Sequence, residues 1–103
     1  MTEGEFQTQV LELARLGGWS HYHTFDSRKS VAGFPDLVLV RGNRILFIEL
    51  KSDRGKVTPE QRAWLDRLEQ AVPLSTDVWY PRDLPQIERL LLDRTTVHER
   101  RPS

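Results

Sequence analysis

With 103 residues, of which 38% are hydrophobic and 29% charged, the chain can form one small domain with a single core. A formal net charge of zero argues against indiscriminate nucleic-acid binding, and the absence of cysteine excludes disulfides, thiolate metal sites and a cysteine nucleophile. No apolar run approaches the ~18 residues of a membrane span and the first residues are acidic, so we expect a soluble intracellular protein without a secretory signal.

The first predicted element is a helix over residues 3–16. Phe6 and Val10 begin an apolar stripe at helical spacing, and Thr2 with Glu5 three residues later has the sequence of a capping box. For Glu5, spacing alone favours a capping or solvated carboxylate over one that points into a cleft.

A strand is predicted over residues 19–25, where bulky aromatic or histidine side chains alternate with smaller groups. His21 and His23 fall on one face of this strand. Such a spacing can ligate a metal, but half-buried strand imidazoles are more common, so no role is assigned to them.

A polar loop over residues 26–35 follows the strand. Its hydroxyl and basic side chains suit contacts with phosphate, although an ordinary solvated loop would have the same composition. The residues in question are Ser27, Arg28, Lys29 and Ser30.

Two apolar strands, 36–41 and 44–51, are joined by Gly42-Asn43, which is a strong signal for a two-residue hairpin loop. In the register that such a loop sets, Asp36 lies directly across from Glu49, with Cβ atoms ~4.5–5.5 Å apart on one face. A slip of one residue would separate them.

Opposed carboxylates repel each other, and the cost is highest in strands as apolar as these. A divalent cation would compensate the repulsion between Asp36 and Glu49, because carboxylate oxygens are ligands that Mg²⁺ prefers. Lys51 lies two residues beyond Glu49 on the same face. The alternative is that one carboxylate pairs with Lys51 while the other reaches solvent at the sheet edge.

A second helix is predicted over residues 58–71, with Thr58 as N-cap, Pro59 in its first turn and Gln61 completing a capping box. Gln61 also falls on the apolar face of this helix, near the end of the preceding strand. It could reach water or phosphate there, but the capping box explains it equally well.

The chain ends with a short strand over residues 76–80 and a helix over 83–93, opened by Asp83 and Gln86. We therefore predict an α/β fold with the order α-β-β-β-α-β-α. The first three strands form an antiparallel meander, and the fourth lies parallel to the third because a helix connects them. Helices flank this mixed four-stranded sheet. Residues 1–94 form a single domain, and 95–103 a polar, flexible tail.

Pro35-Asp36, followed thirteen residues after Asp36 by Glu49-Leu50-Lys51, resembles the PD-(D/E)XK pattern of restriction-endonuclease-like nucleases. The closer resemblance is to the small stand-alone VRR-Nuc proteins of phages and bacteria. It is carried by three further segments, which are Gly33-Phe34-Pro35-Asp36, the Thr58-to-Leu65 helix start and the N-terminal helix ending in Gly-Gly-Trp. One departure is Val72-Pro73-Leu74-Ser75, where the family often has a turn led by glycine.

This resemblance implies a metal-dependent DNA endonuclease using Mg²⁺ or Mn²⁺ in the cytoplasm of a bacterial or phage-infected cell. Asp36 and Glu49 would be metal ligands together with the Leu50 carbonyl, and Lys51 would orient water or steady developing charge. Gln61 would be the glutamine of the motif. The resemblance also implies a homodimer acting on branched DNA, with four-way junctions as the leading substrate.

The implied outer acidic ligand is Glu5, and the DNA-binding residues would come from the 27–30 loop with Arg54 and Lys56. Residues 28–62 hold eight Lys or Arg against four acidic residues, a net charge of +4, which suits a phosphate-binding surface or reflects chance clustering. The competing hypotheses are a non-catalytic nucleic-acid-binding module with the same fold and a purely structural interaction domain.

Overall fold

The structure is a computed structural model that describes residues 1–24 and 31–93. Its elements follow the predicted order α-β-β-β-α-β-α, with a short 3₁₀ turn before the last helix. They are α1 (Glu3–Leu16), β1 (Ser20–His23), β2 (Leu37–Arg41), β3 (Arg44–Leu50), α2 (Pro59–Ala71), β4 (Thr76–Trp79), the 3₁₀ turn Pro81–Asp83 and α3 (Leu84–Leu92).

The four strands form one mixed sheet in the order β1-β2-β3-β4. The first two pairings are antiparallel and the last is parallel, which confirms the predicted topology. Arg41 faces Arg44 across the hairpin, so the two-residue loop is confirmed, and Gly42 supplies the positive φ of 61° that the loop requires.

The main core lies on one face of the sheet, beneath α1 and α3. It consists of alternate residues of β2 and β3 packed against helical side chains, with Leu39 and Ile48 near its centre and Phe6, Val10 and Leu91 above them. Because side chains alternate along a strand, the odd-numbered residues of β3 point to the other face, which α2 covers.

The helix boundaries match the sequence signals closely. Both predicted capping boxes form, at Thr2–Glu5 and at Thr58–Gln61. The third helix begins at Leu84 instead of Asp83, because the Asp83 carboxylate accepts the Tyr80 N–H at 2.9 Å and closes the 3₁₀ turn.

The segment before β4 adopts a turn that usually requires glycine. Leu74 has a φ of 65°, and the carboxylate of Glu69 accepts the N–H of Leu74 as well as the N–H and hydroxyl of Thr76, at 3.1 and 2.7 Å. These hydrogen bonds lower the pKa of Glu69, and they stabilise a backbone conformation that costs a leucine ~1–2 kcal/mol.

Candidate active site

The segment that leads into Asp36 is fixed against the start of α2. Gly33 has a φ of 91°, and a Cβ at this position would lie 2.6 Å from the main-chain carbonyl of Glu60. Phe34 makes edge-to-face contacts with Phe47 of β3 and Trp64 of α2, with ring centroids 6.4 and 5.2 Å apart. The loop therefore enters β2 from a position set by the first turns of α2.

Asp36 lies one residue before the first residue of β2 and is tied to the end of β3. Its Oδ2 accepts the main-chain N–H of Leu50 at 2.8 Å, while its own carbonyl accepts the N–H of Thr24 at 3.0 Å. Since Leu37 pairs with Ile48, the same register brings Asp36 to Glu49, as the sequence predicted.

Glu49 is a buried acid with one unsatisfied oxygen. Only 2% of the residue is exposed, and its Oε1 is buried without a hydrogen-bond partner among the residues that the structure describes. Burial, followed by the charge of Asp36 and a hydrogen bond with it, raises the pKa of Glu49 to about 8, although Lys51 opposes the shift. The positive charge of Lys51 therefore does not compensate the burial of Glu49 and the charge of Asp36.

Lys51 supplies part of that charge from the same face. Its Nζ lies 3.5 Å from Glu49 Oε2, and its side chain is only 12% exposed. The stem of Lys51 rests against Gly55, where an added Cβ would lie 3.2 Å from the lysine Cδ. The turn after β3 thus limits where the ammonium group can go.

The donor set fits a hard divalent cation. Asp36 and Glu49 offer carboxylate oxygens, and the unpartnered Glu49 Oε1 is the kind of buried acceptor that a cation would satisfy. In residues 1–24 and 31–93, no three acidic or imidazole side chains are placed to hold a metal ion together.

The family model for the VRR-NUC domain matches residues 2–77. The chain belongs to the VRR-NUC domain family. This membership supports a DNA-cleaving enzyme, and the acidic pair with its lysine lies inside the matched segment.

Among solved structures, this VRR-NUC domain is similar to Archaeoglobus fulgidus Hjc, a Holliday junction resolvase from an archaeal hyperthermophile. The TM-score is 0.53 at 21% identity, and the match covers 74% of this chain. The match spans 65% of the Hjc chain, and at this identity it establishes a shared nuclease-like fold. No curated protein matches the chain. In the described part of the chain, no helix is long and apolar enough to cross a membrane.

The structure places two of the predicted site residues in helix caps. Glu5 caps α1, where its Oε1 accepts the Thr2 N–H at 2.7 Å, and the hydrogen bonds from the main chain and side chain of Thr2 lower its pKa. The helix α1 also packs on the opposite face of the sheet from Glu49. Gln61 likewise accepts the Thr58 N–H at 2.9 Å, so both side chains are engaged as caps.

The predicted DNA-binding residues fall into two groups. Ser27, Arg28, Lys29 and Ser30 lie outside the described residues. Arg54 and Lys56 are exposed on the loop that follows Lys51, beside the site.

Sequence reasoning missed the residues that hold the site together across the fold. Gly33 acts through its close contact with the main chain of Glu60, and Gly55 through its contact with the Lys51 side chain. Only Gly33 carried a usable signal, because a glycine directly before Phe-Pro-Asp suggests a close approach of two main chains.

Proposed function

We propose that this VRR-NUC domain is a metal-dependent DNA endonuclease that hydrolyses phosphodiester bonds, with branched DNA such as four-way junctions as its substrate. The observation that carries the proposal is the convergence of Asp36, Glu49 and Lys51 on one face at the end of β3. A binding module would not need a buried pair of acids at this point, because the pair repels both itself and a phosphate.

The proposed cation is Mg²⁺ or Mn²⁺, held by Asp36, Glu49 and the main-chain carbonyl of Leu50. When bound, it would lower the pKa of water and neutralise charge on the phosphate. Asp36 is oriented for this task by the Leu50 N–H, and Glu49 has a buried oxygen that no other group in the described part of the chain satisfies.

We assign Lys51 to the developing negative charge of the transition state. An ammonium group already fixed 3.5 Å from Glu49 needs little reorganisation to contact an oxygen of the reacting phosphate or to orient the attacking water. The low exposure of the side chain strengthens this electrostatic contribution, because water screens it less.

Two further roles follow from the family pattern. Gln61 would contact water or phosphate through its amide, and Glu5 would act as an outer acidic ligand. Either role requires the residue to rearrange from its helix cap. Arg54, Lys56 and the 27–30 loop would hold the DNA backbone.

The proposed homodimer has support from apolar side chains of β1 and β2 that stay exposed on the sheet face that α2 covers in part. Tyr22 and Val40 are 62% and 39% exposed and share one face, since Tyr22 pairs with Val38 and Val38 lies two residues from Val40. Exposed apolar surface of this kind favours association, and two copies would present two active sites to the symmetric arms of a junction.

The decisive experiment incubates the protein with linear, flapped and four-way DNA, with Mg²⁺ and with EDTA. We expect cleavage of branched DNA that stops in EDTA and is lost in the Asp36→Asn and Glu49→Gln variants. The matched control is Asp66→Asn, at an exposed position of α2, which should cleave like the wild type. Retained cleavage in both variants would contradict the assignment of Asp36 and Glu49 to the active site. DNA binding without cleavage under any metal would identify a non-catalytic module.

A further inference from the structure

Arg82 lies at the rim of the site, just beyond the C-terminal end of β4. The strands β3 and β4 run parallel, and the N–H of Lys51 donates to the Trp79 carbonyl at 3.0 Å, so both strands end at the same edge. Trp79 packs into the main core, and the extended Tyr80 that follows it points to the opposite face, which carries Glu49. Arg82 therefore lies at the Lys51 end of the site.

Two contacts hold the guanidinium group of Arg82 in place. Its Cζ lies 4.1 Å from the ring centroid of Tyr80, and its Nη1 donates to the main-chain carbonyl of Asp53 at 3.2 Å. The residue is nevertheless exposed, and within residues 1–24 and 31–93 no carboxylate lies at ion-pair distance from it.

This arrangement leaves the cation available to an external anion. A main-chain carbonyl and an aromatic ring orient a guanidinium without neutralising it, and among the described residues Arg82 donates a hydrogen bond from only one of its five N–H groups. Because the side chain is already fixed, binding costs less conformational entropy than it would for a free arginine. A phosphate group matches the planar fork of donors.

We propose that Arg82 binds a DNA phosphate flanking the cleaved bond, on the β4 side of the site. The inference rests on the proposed nuclease function. Together with Arg54 and Lys56, Arg82 would form a strip of three exposed cations along the edge where β3 and β4 end. In a chain with no net charge, such a local strip is what DNA affinity requires.

The first test measures the affinity of a four-way junction in EDTA over a salt series. Replacing Arg82 by glutamine should weaken binding roughly tenfold. The negative slope of log K against log salt should become shallower by about 0.9, as expected for one lost phosphate contact. Arg82→Lys should keep the slope. Arg89→Gln on α3 is the matched control and should match the wild type.

Cleavage kinetics in Mg²⁺ separate a DNA contact from a structural role. The Arg82→Gln change should raise KM and leave kcat near the wild-type value. An unchanged salt slope with a lower kcat would show that Arg82 only braces the turn after Lys51, and it would overturn the proposal. A wild-type protein that neither binds nor cuts DNA would instead contradict the nuclease function itself.

Chemical protection of the wild-type protein tests the same contact without a substitution, and so applies even if the Arg82→Gln variant does not fold. Bound DNA should protect Arg82 from phenylglyoxal, as detected by mass spectrometry of the peptides, while Arg89 reacts at the same rate with and without DNA. Equal reaction of Arg82 in both conditions would contradict the contact.

Discussion

Gly33 packs against the main chain of Glu60 so closely that a Cβ on Gly33 would lie 2.6 Å from the Glu60 carbonyl. This contact joins the loop that carries Asp36 to the first turn of α2. The position of an acidic site residue therefore depends on a helix that begins more than twenty residues later in the chain.

We predict that Gly33→Ala weakens Mn²⁺ binding and reduces cleavage by at least tenfold. Alanine would strain the positive φ and collide with Glu60, shifting Asp36 from the Leu50 N–H. Gly42→Ala is a matched control, because Gly42 also has a positive φ of 61° but faces open space. It should cost only the ~1–2 kcal/mol of the strained backbone and keep activity. Equal metal affinity in both variants, by titration calorimetry, would contradict the prediction.

We predict that the metal-free protein loses stability as pH rises toward about 8. The pKa of Glu49 is about 8 in the folded state against an ordinary 4.5, so between these values the folded protein retains a proton that the unfolded chain releases. The stabilisation is complete below the ordinary pKa and is lost as pH rises through the folded pKa. Melting temperatures in EDTA should therefore fall over this window, and Glu49→Gln should remove the fall.

Metal binding should show the opposite pH dependence. A cation requires the ionised form of Glu49, so the affinity for Mn²⁺ should rise with pH up to about 8 and each binding event should release a proton. Calorimetry in two buffers of different ionisation enthalpy measures that proton. An affinity that does not change with pH would argue that Glu49 is not a ligand.

We predict that Lys51→Met reduces kcat by roughly 10²–10³-fold, as loss of a fixed positive group at developing charge typically does. The same change should move the pH midpoint for loss of stability upward, because Lys51 opposes the raised pKa of Glu49. Lys56→Met, on the exposed loop, is the control and should affect DNA affinity instead of kcat. A normal kcat in Lys51→Met would remove the lysine from the mechanism.

Substitutions in the turn before β4 should change the free energy of unfolding without affecting the site. Leu74→Gly should stabilise the protein by ~1 kcal/mol, because glycine adopts the observed φ of 65° without strain. Glu69→Ala should destabilise it, since the Leu74 and Thr76 donors lose their acceptor. Urea denaturation measures both changes. Destabilisation by Leu74→Gly would contradict the account.

The hairpin shows how far the sequence could predict the site. Gly42-Asn43 fixed the register, and the register brought Asp36 to Glu49, because opposed residues of an antiparallel pair share a face. The capping boxes fixed where α1 and α2 begin. All of these signals act between residues close in the sequence or across one tight turn.

The family resemblance implied site roles for Glu5 and Gln61, whereas their spacing in the sequence also fitted helix caps. The structure has the carboxyl group of Glu5 and the amide group of Gln61 in those caps. Local spacing cannot choose between a cap and a site contact, because the choice depends on what packs against the helix end.

The amino-acid sequence by itself determined the order of elements, the hairpin register and the group of Asp36, Glu49 and Lys51. Only the tertiary structure decided that Glu49 is buried with an unsatisfied oxygen and that Gly33 meets α2. The reason is physical: turn and cap preferences arise from neighbouring residues, whereas burial, pKa and close main-chain contact arise from segments that only folding brings together.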